Sequence, residues 1–290
     1  MGGDNTFRPA IAYALAQSIN IGAYICRTVN RLDALIGALD RSVRDRLTRP
    51  VAGIMFSGGV DSCVVASLAS NHVLVTLYTV GVEGSHDLKV GQSSALAMGL
   101  AWKGINITES DIREAMPFVA RYMGTVSPLA LSFEMPLFFV ARAAIEEIVL
   151  CGQGADELFG GYARYETMSP SERRARMKVD ADALITTGAP AERRLASALG
   201  KELGHPYLDR SVVDLAISLP DDMLVNNGVR KVALRQVATA LGLEEAALRP
   251  KKAAQYGSGI MKAMKAMAKR ERSSLKDWTV KVIAEKEDRA

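Results

Sequence analysis

Two short strings hold the residues of this chain whose types and spacing could do chemistry. They are Ser57-Gly58-Gly59-Val60-Asp61-Ser62 and Gly152-Gln153-Gly154-Ala155-Asp156-Glu157-Leu158-Phe159-Gly160-Gly161-Tyr162. The first follows an apolar run, Val51 to Phe56, and opens a second one, Val60 to Leu68. That pattern reads as a buried strand turning into a helix, a place where several backbone N–H groups face an anion. The two glycines let the backbone come close to it. A carboxylate inside a phosphate-binding loop repels its own ligand unless a metal sits between them. Asp61 therefore reads as a ligand of Mg2+ bridging phosphate oxygens. The second string follows another apolar strand, Ile148 to Cys151, and again places a carboxylate, Asp156, just past glycines. Two strand-end loops with one aspartate each make a site for a metal-bound polyphosphate. The Gly-x4-Gly-Lys-Ser/Thr loop of kinases and motor ATPases is absent from the sequence.

Ser-Gly-Gly-Val-Asp-Ser resembles the pyrophosphate loop of the N-type ATP pyrophosphatases. Gly-Ala-Asp-Glu-Leu-Phe-Gly-Gly-Tyr resembles the signature of the synthetase domain of asparagine synthetases. The two occur in the same order here, about ninety residues apart. The resemblance implies ATP and Mg2+, with the leaving pyrophosphate gripped by Ser57, Gly58, Gly59 and Ser62, Val60 completing the loop, and the metal held by Asp61 and Asp156. It places main-chain groups of Phe56 and Val80 near the adenine, with Cys151 and Gly152 joining the nucleotide contacts. The bond broken lies between the α and β phosphates: a substrate oxygen attacks the α-phosphorus, giving an adenylate and pyrophosphate.

Four further stretches carry the likeness over about residues 30–260. Gly228-Val229-Arg230-Lys231-Val232-Ala233-Leu234-Arg235 resembles the segment bearing the family's catalytic lysine, here Lys231. On a helix Lys231 and Arg235 would share a face and both could enter a cleft; by spacing alone a solvated basic helix fits as well. The segment from Gly200 to Asp209 resembles one ending in Pro-Phe-Leu-Asp, and Glu202 falls on its acidic position. In Arg249-Pro250-Lys251-Lys252, Lys251 is a candidate second phosphate contact. Val80 to Asp87 resembles the segment after the family's second strand, although its glycines also suit an ordinary turn.

The chain departs from the pattern at several points. Position 2 is Gly2, not the catalytic cysteine of a glutaminase domain, and only about fifty residues precede the first loop. Glutamine hydrolysis by this polypeptide is thus not expected, and nitrogen would come as ammonia, from a separate glutaminase subunit or from an amine substrate. Gln153 stands where the family carries a glutamate of the ammonia step, so it belongs to the catalytic set by position, yet an amide cannot act as a base. Glu202 or the pyrophosphate would take that role, or the second half-reaction differs. Gly204 replaces an arginine, and Ser127–Glu134 lacks one expected near the substrate carboxylate.

The elements that must position these residues follow from the rest of the chain. Its 290 residues, 49% hydrophobic and 23% charged, suit one large or two small globular domains. No apolar run approaches the ~20 residues of a membrane helix, and the first twenty residues lack a signal-peptide pattern. Cys26, Cys63 and Cys151 are too few and too scattered for a disulfide framework and read as reduced thiols of a cytoplasmic enzyme. Residues 262–290 hold nine Lys or Arg against five Asp or Glu, and the remainder balances at 27 against 27. This basic tail reads as a solvated helix face, not a nucleic-acid contact. His72, His86 and His205 read as surface or cap residues, and Tyr162 and Tyr165 as packing beneath their loop.

Buried strands are expected at 51–56, 73–80 and 148–151 and a weaker strand at 101–108, with helices between them at 63–69, 87–100, 110–123 and 134–147. Such alternation implies an α/β fold: a doubly wound, mostly parallel sheet, of the adenine nucleotide alpha hydrolase kind by resemblance, with a helical C-terminal part. The organisation expected is a helical lead-in over 1–48, an ATP pyrophosphatase core over 49–165, a helical substrate-side region over 166–260 and a charged helix or tail over 261–290. Strand patterns are not seen after Tyr165, where short helices broken by Gly188, Pro190, Gly200, Pro206, Pro220 and Gly228 are expected.

The reading that results is an AMP-forming amide synthetase acting on the β-carboxylate of aspartate, with small-molecule substrates, no membrane and no nucleic acid; a homodimer is admitted. Rival readings change the acceptor to an intramolecular amine, as in β-lactam synthetase, or to another acid. Others replace it with a tRNA base, or make the chain a nucleotide-binding regulator without turnover.

Overall fold

The computed structural model describes residues 31–250 and 257–287; Lys251 and most of the expected N-terminal lead-in lie outside them. Helix α1 extends over 31–46, and β1 follows at Val51–Met55. Then come α2 (Val60–Ser70), β2 (Leu74–Gly81), α3 (His86–Met98), β3 (Ala101–Asn106), α4 (Glu109–Met123), α5 (Pro128–Ala143) and β4 (Ile148–Leu150). These strands alternate between two apolar layers because side chains on a strand point to opposite faces. Val75, Leu77, Ile148 and Leu150 pack with α1 and α2 on one side. Tyr78, Val80, Val149 and Cys151 pack with α4 and α5 on the other. With both faces of β1, β2 and β4 covered, the strands pair in parallel in the order β3-β2-β1-β4, with β3 at the edge largely exposed. The chain winds outward through β2 and β3 and returns to the other side of β1 with β4. The order therefore reverses between β1 and β4, and a crevice opens beyond their carboxyl ends. Both glycine-bearing loops start there.

Three differences from the sequence reading have clear causes. A fifth strand, β5 (Glu202–Gly204), extends the parallel sheet beyond β4, with Ile148 opposite Glu202 and Leu150 opposite Gly204. It is three residues long and buries one apolar side chain, Leu203, too little to show a period of two. Helix α5 starts at Pro128, capped by Ser127, and continues through Pro136 to Ala143, whereas 134–147 was expected. The short helix α6 (Ala155–Leu158) precedes α7 (Pro170–Ala183), which continues through a π-helical turn, Leu184–Gly188, into α8 (Ala189–Ala198). Gly188 and Pro190 do not break it, since Pro190 sits in the first turn of α8, where its missing N–H costs little.

Beyond β5 lie α9 (Arg210–Ser218), a two-strand hairpin of β6 (Val225–Asn226) and β7 (Val229–Arg230), then α10 (Val232–Ala240) and α11 (Glu244–Leu248). The basic C-terminal stretch forms α12 (Ile260–Arg270) and α13 (Leu275–Glu287). Only one face of it is solvated: Met264, Met267, Trp278, Val282 and Ile283 are buried in the layer of α4 and α5. No single helix among the described residues is long and apolar enough to cross a membrane.

Candidate active site

The turn from β1 to α2 is organised by its own hydroxyls. The Gly59 N–H donates to Ser57 Oγ at 3.3 Å, Ser62 Oγ donates to the Gly59 carbonyl at 3.1 Å, and the Ser57 N–H donates to Ser62 Oγ at 3.3 Å. Gly58 has φ 72°, and an added Cβ would come within 2.8 Å of Val90. No side chain caps α2, so its first N–H groups point past Gly59 with the helix's positive end behind them. Arg249, which sequence reasoning passed over in favour of Lys251, donates through Nη1 to the Gly58 carbonyl and, at 2.8 Å, to Ser94 Oγ. It braces the loop against α3.

The register of β1 on β4 sets the two loops side by side: Gly53 is level with Val149 and Ile54 with Leu150. Gly152 then rests against the first loop, where an added Cβ would lie 3.1 Å from Asp61 Cβ and 3.2 Å from Ser62 N. Asp61 is in the first turn of α2 and Asp156 in that of α6, a placement each helix end favours. Their carboxylates meet at Lys231. Its Nζ lies 2.6 Å from both Asp61 oxygens and 2.7 Å from Asp156 Oδ1, and the residue is 1% exposed.

Lys231 is not on a helix face beside Arg235, as expected, but is the residue before α10, with φ 58°. A side chain in that left-handed conformation costs about 1–2 kcal/mol. The β6–β7 hairpin imposes it. Asn227 and Gly228, with φ 47° and 74°, form the two-residue turn typical of such ribbons. Arg230 ties the hairpin to the second loop through the Gly161 carbonyl at 2.9 Å and Glu166 at 2.6 Å. Arg235 turns away from the cleft to carbonyls of Arg230, Ala247 and Arg249. At Gly161 an added Cβ would overlap both Asp156 Oδ1 and Lys231 Cε, which is why the second string carries a glycine there.

Acceptor-only carboxylates converging on one cation are the donor set that suits Mg2+, and the Lys231 ammonium stands between them as a cation already in place. Glu157, beside Asp156, is buried; burial raises its pKa against the Tyr162 hydroxyl, which donates at 2.6 Å and lowers it. Tyr162 and Tyr165 pack together beneath the loop, with Tyr165 donating to Asp180. The Phe56 N–H donates to Tyr78 O at 2.8 Å and the Phe56 carbonyl accepts from Thr79 at 2.6 Å, while the Val80 side chain is 5% exposed in the core. Beyond β2, the Val82 N–H donates to Ser258 O at 2.9 Å, which brings the Gly257–Gly259 stretch to this corner.

The remaining expected residues lie elsewhere. Glu202 opens β5 opposite Ile148, two residues and about 7 Å below the strand's carboxyl end, and its side chain is exposed. Gln153 turns to α8, where it donates to Glu192 Oε1 at 3.1 Å. Glu192, on α8, also meets His205 Nε2 at 2.6 Å. His205 stands at the start of the 3-10 turn Pro206–Leu208, where its carbonyl and not its ring serves as the cap, and it is not a surface residue: it is 2% exposed. Burial works to lower its pKa, but Cys151 and Glu192 outweigh that and hold it up at about 10. Glu134 on α5 faces the same group, and burial with Glu192 nearby pushes it up to about 8. Arg46 from α1 packs over Gly204, its Cδ 3.1 Å from where a Cβ there would be, and its guanidinium donates to Ser42 and to Asp209.

Known proteins resemble this chain over most of its length. The putative glutamine-hydrolyzing asparagine synthetase 1 of Methanocaldococcus jannaschii is 33% identical over 276 residues, 80% of this chain and 51% of that protein. Asparagine synthetase B of Escherichia coli K12 is 27% identical over 285 residues, 87% of this chain and 51% of that protein. The chain spans about half the length of these curated relatives. Among solved structures, an NMN synthetase from Francisella tularensis aligns with a TM-score of 0.44 at 14% identity, over 88% of this chain and 91% of that one. The asparagine synthase family model matches residues 34–195 and 174–287. With nearly all of the described residues inside those matches, the chain belongs to the asparagine synthase family.

Proposed function

We propose that this chain is an AMP-forming amide synthetase whose ATP site is the crevice between β1 and β4. The observation that carries the reading is the meeting of Asp61, Asp156 and Lys231 beside the uncapped start of α2. The loop N–H groups of residues 58–62 bind the departing pyrophosphate, and Asp61 with Asp156 would hold magnesium, which supplies charge neutralisation when bound. Lys231 offers its ammonium to the charge that develops at the α-phosphate. The carboxylate oxygen of the acid substrate attacks the α-phosphorus, the bond to the bridging oxygen breaks, and pyrophosphate leaves an acyl-adenylate. A nitrogen nucleophile then adds to the acyl carbon, loses a proton and expels AMP. Family membership supports aspartate as the acid and ammonia as the nitrogen source.

The test is pyrophosphate release by purified protein with ATP, Mg2+ and ammonium against a panel of amino acids. Release with aspartate alone is the expected result. Release with a different acid reassigns the acceptor, and silence from a protein that still binds ATP overturns the reading in favour of a nucleotide-binding regulator.

A further inference from the structure

Beyond the nucleotide corner, the carboxyl ends of β4 and β5 carry a second group of chemistry-bearing residues. Cys151 Sγ, a Glu192 carboxylate oxygen and a His205 ring nitrogen all lie within 4.8 Å of one another, and all three residues are buried. We infer that these three side chains form a binding site for a transition-metal ion of the zinc class. The inference is independent of the proposed amide synthesis.

The donor set argues for that class. A thiolate, an imidazole and a carboxylate together suit Zn2+ better than Mg2+ or Ca2+, which take oxygen alone. Zinc bonds of about 2.0–2.3 Å in tetrahedral geometry put donors about 3.3–3.8 Å apart, so the 2.6 Å Glu192–His205 contact must open to admit the ion, and all three donors already lie within 4.8 Å. Cys151 Sγ donates to Gly204 O at 3.5 Å as a thiol; on binding, a metal would release that proton and take a thiolate and a carboxylate, two negative charges that a divalent cation cancels.

The surroundings match what metal ligands need. The three residues come from separate elements, the end of β4, α8 and the end of β5, so the folded sheet holds them in place. Cys151 is pinned by its own N–H, which donates to Gly204 O at 3.1 Å. Glu192 is oriented by Gln153, which donates to the oxygen not turned to His205, as second-shell partners of metal-bound carboxylates do. The 2.6 Å contact between Glu192 Oε2 and His205 Nε2 is the place a cation would enter, displacing the proton the two share. His205 also lines a cavity of about 270 Å³ with Arg46, Arg193, Glu202 and Gly204, which provides an entry path and room for a water at a fourth position. Arg193 Nη1 sits 3.5 Å from His205 Nδ1, at the limit of a hydrogen bond, and must turn toward that cavity when Nδ1 takes the imidazole proton.

The experiment is metal analysis of the full chain purified without chelators, followed by cobalt substitution of the stripped protein. About one zinc per chain is expected, with a thiolate-to-cobalt charge-transfer band in the near ultraviolet. Cys151→Ser should abolish that band, and His205→Gln should weaken cobalt binding at least tenfold, with circular dichroism confirming the fold of both. If either variant fails to fold, the cobalt spectrum of the wild-type chain decides. Less than a tenth of an equivalent of metal together with no charge-transfer band overturns the site. So does stoichiometric metal that survives both substitutions.

Discussion

The proposed nucleotide corner above β1 and β4 and the polar cluster above β4 and β5 are neighbours on one sheet, yet they are built in opposite ways. In the first, contiguous strings bring their own glycines and carboxylates, and the register of two strands joins them with one lysine added from afar. In the second, no two ligating residues are close in sequence: Cys151, Glu192 and His205 are separated by 41 and 13 positions. The difference shows where local sequence signals stop. Phosphate binding uses main-chain N–H groups, which demand particular loop residues in a row. A side-chain cluster asks only that each residue end a strand or face inward from a helix.

Charge counting separates the two corners experimentally and leads to the largest expected effect. Lys231 is one cation between two carboxylates, so Asp61→Asn or Asp156→Asn leaves a neutral pair behind. Each should cut pyrophosphate release by about 10²–10³ while leaving the thermal midpoint nearly unchanged. Lys231→Met leaves two carboxylates facing each other and should lose both activity and stability. Equal destabilisation by all three substitutions would break this account.

Gly161→Ala comes next, because its methyl would push Asp156 and Lys231 apart. A displacement near 1 Å should slow turnover by about 10², read as kcat from the same assay. Arg249→Ala, which frees the first loop from α3, should raise KM for ATP about tenfold, the worth of one lost charge-assisted hydrogen bond. An unchanged KM would show that the loop's own hydroxyls suffice.

The smallest effect is a pH dependence. Burial raises the Glu157 pKa above its ordinary 4.5, so the folded state holds this proton more tightly than the unfolded chain does. Its contribution to stability is fully present below pH 4.5 and is lost as pH rises through the folded-state value. Glu157→Gln removes the titration and should narrow the difference between thermal midpoints at pH 5 and pH 8. A difference unchanged from wild type would assign that slope to other groups.

Much of the fold was legible. Three of the five strands in the main sheet, β1, β2 and β4, announce themselves as apolar runs ending in glycine-bearing turns, because strands buried on both faces must be apolar throughout, whereas the largely exposed edge strand β3 shows a weaker pattern. β5 was not legible, since three residues with one buried side chain carry no period. The hairpin before Lys231 left a trace, the Asn227-Gly228 pair, which favours this turn for its positive φ angles. Arg249 left none that distinguishes it from the lysines beside it.

The amino-acid order by itself determined the α/β alternation, the two anion-ready loops and the two aspartates they carry; Lys231 stood out only through the family resemblance. Those features rest on local conformation and on burial, both written in neighbouring residues. Only the tertiary structure decided that Lys231 stands between the aspartates while Arg235 turns away. It alone decided that Glu202 lies low on its strand, and that Cys151, Glu192 and His205 share one buried pocket. Such pairings depend on strand order, register and helix docking, and these are settled by the packing of the whole core.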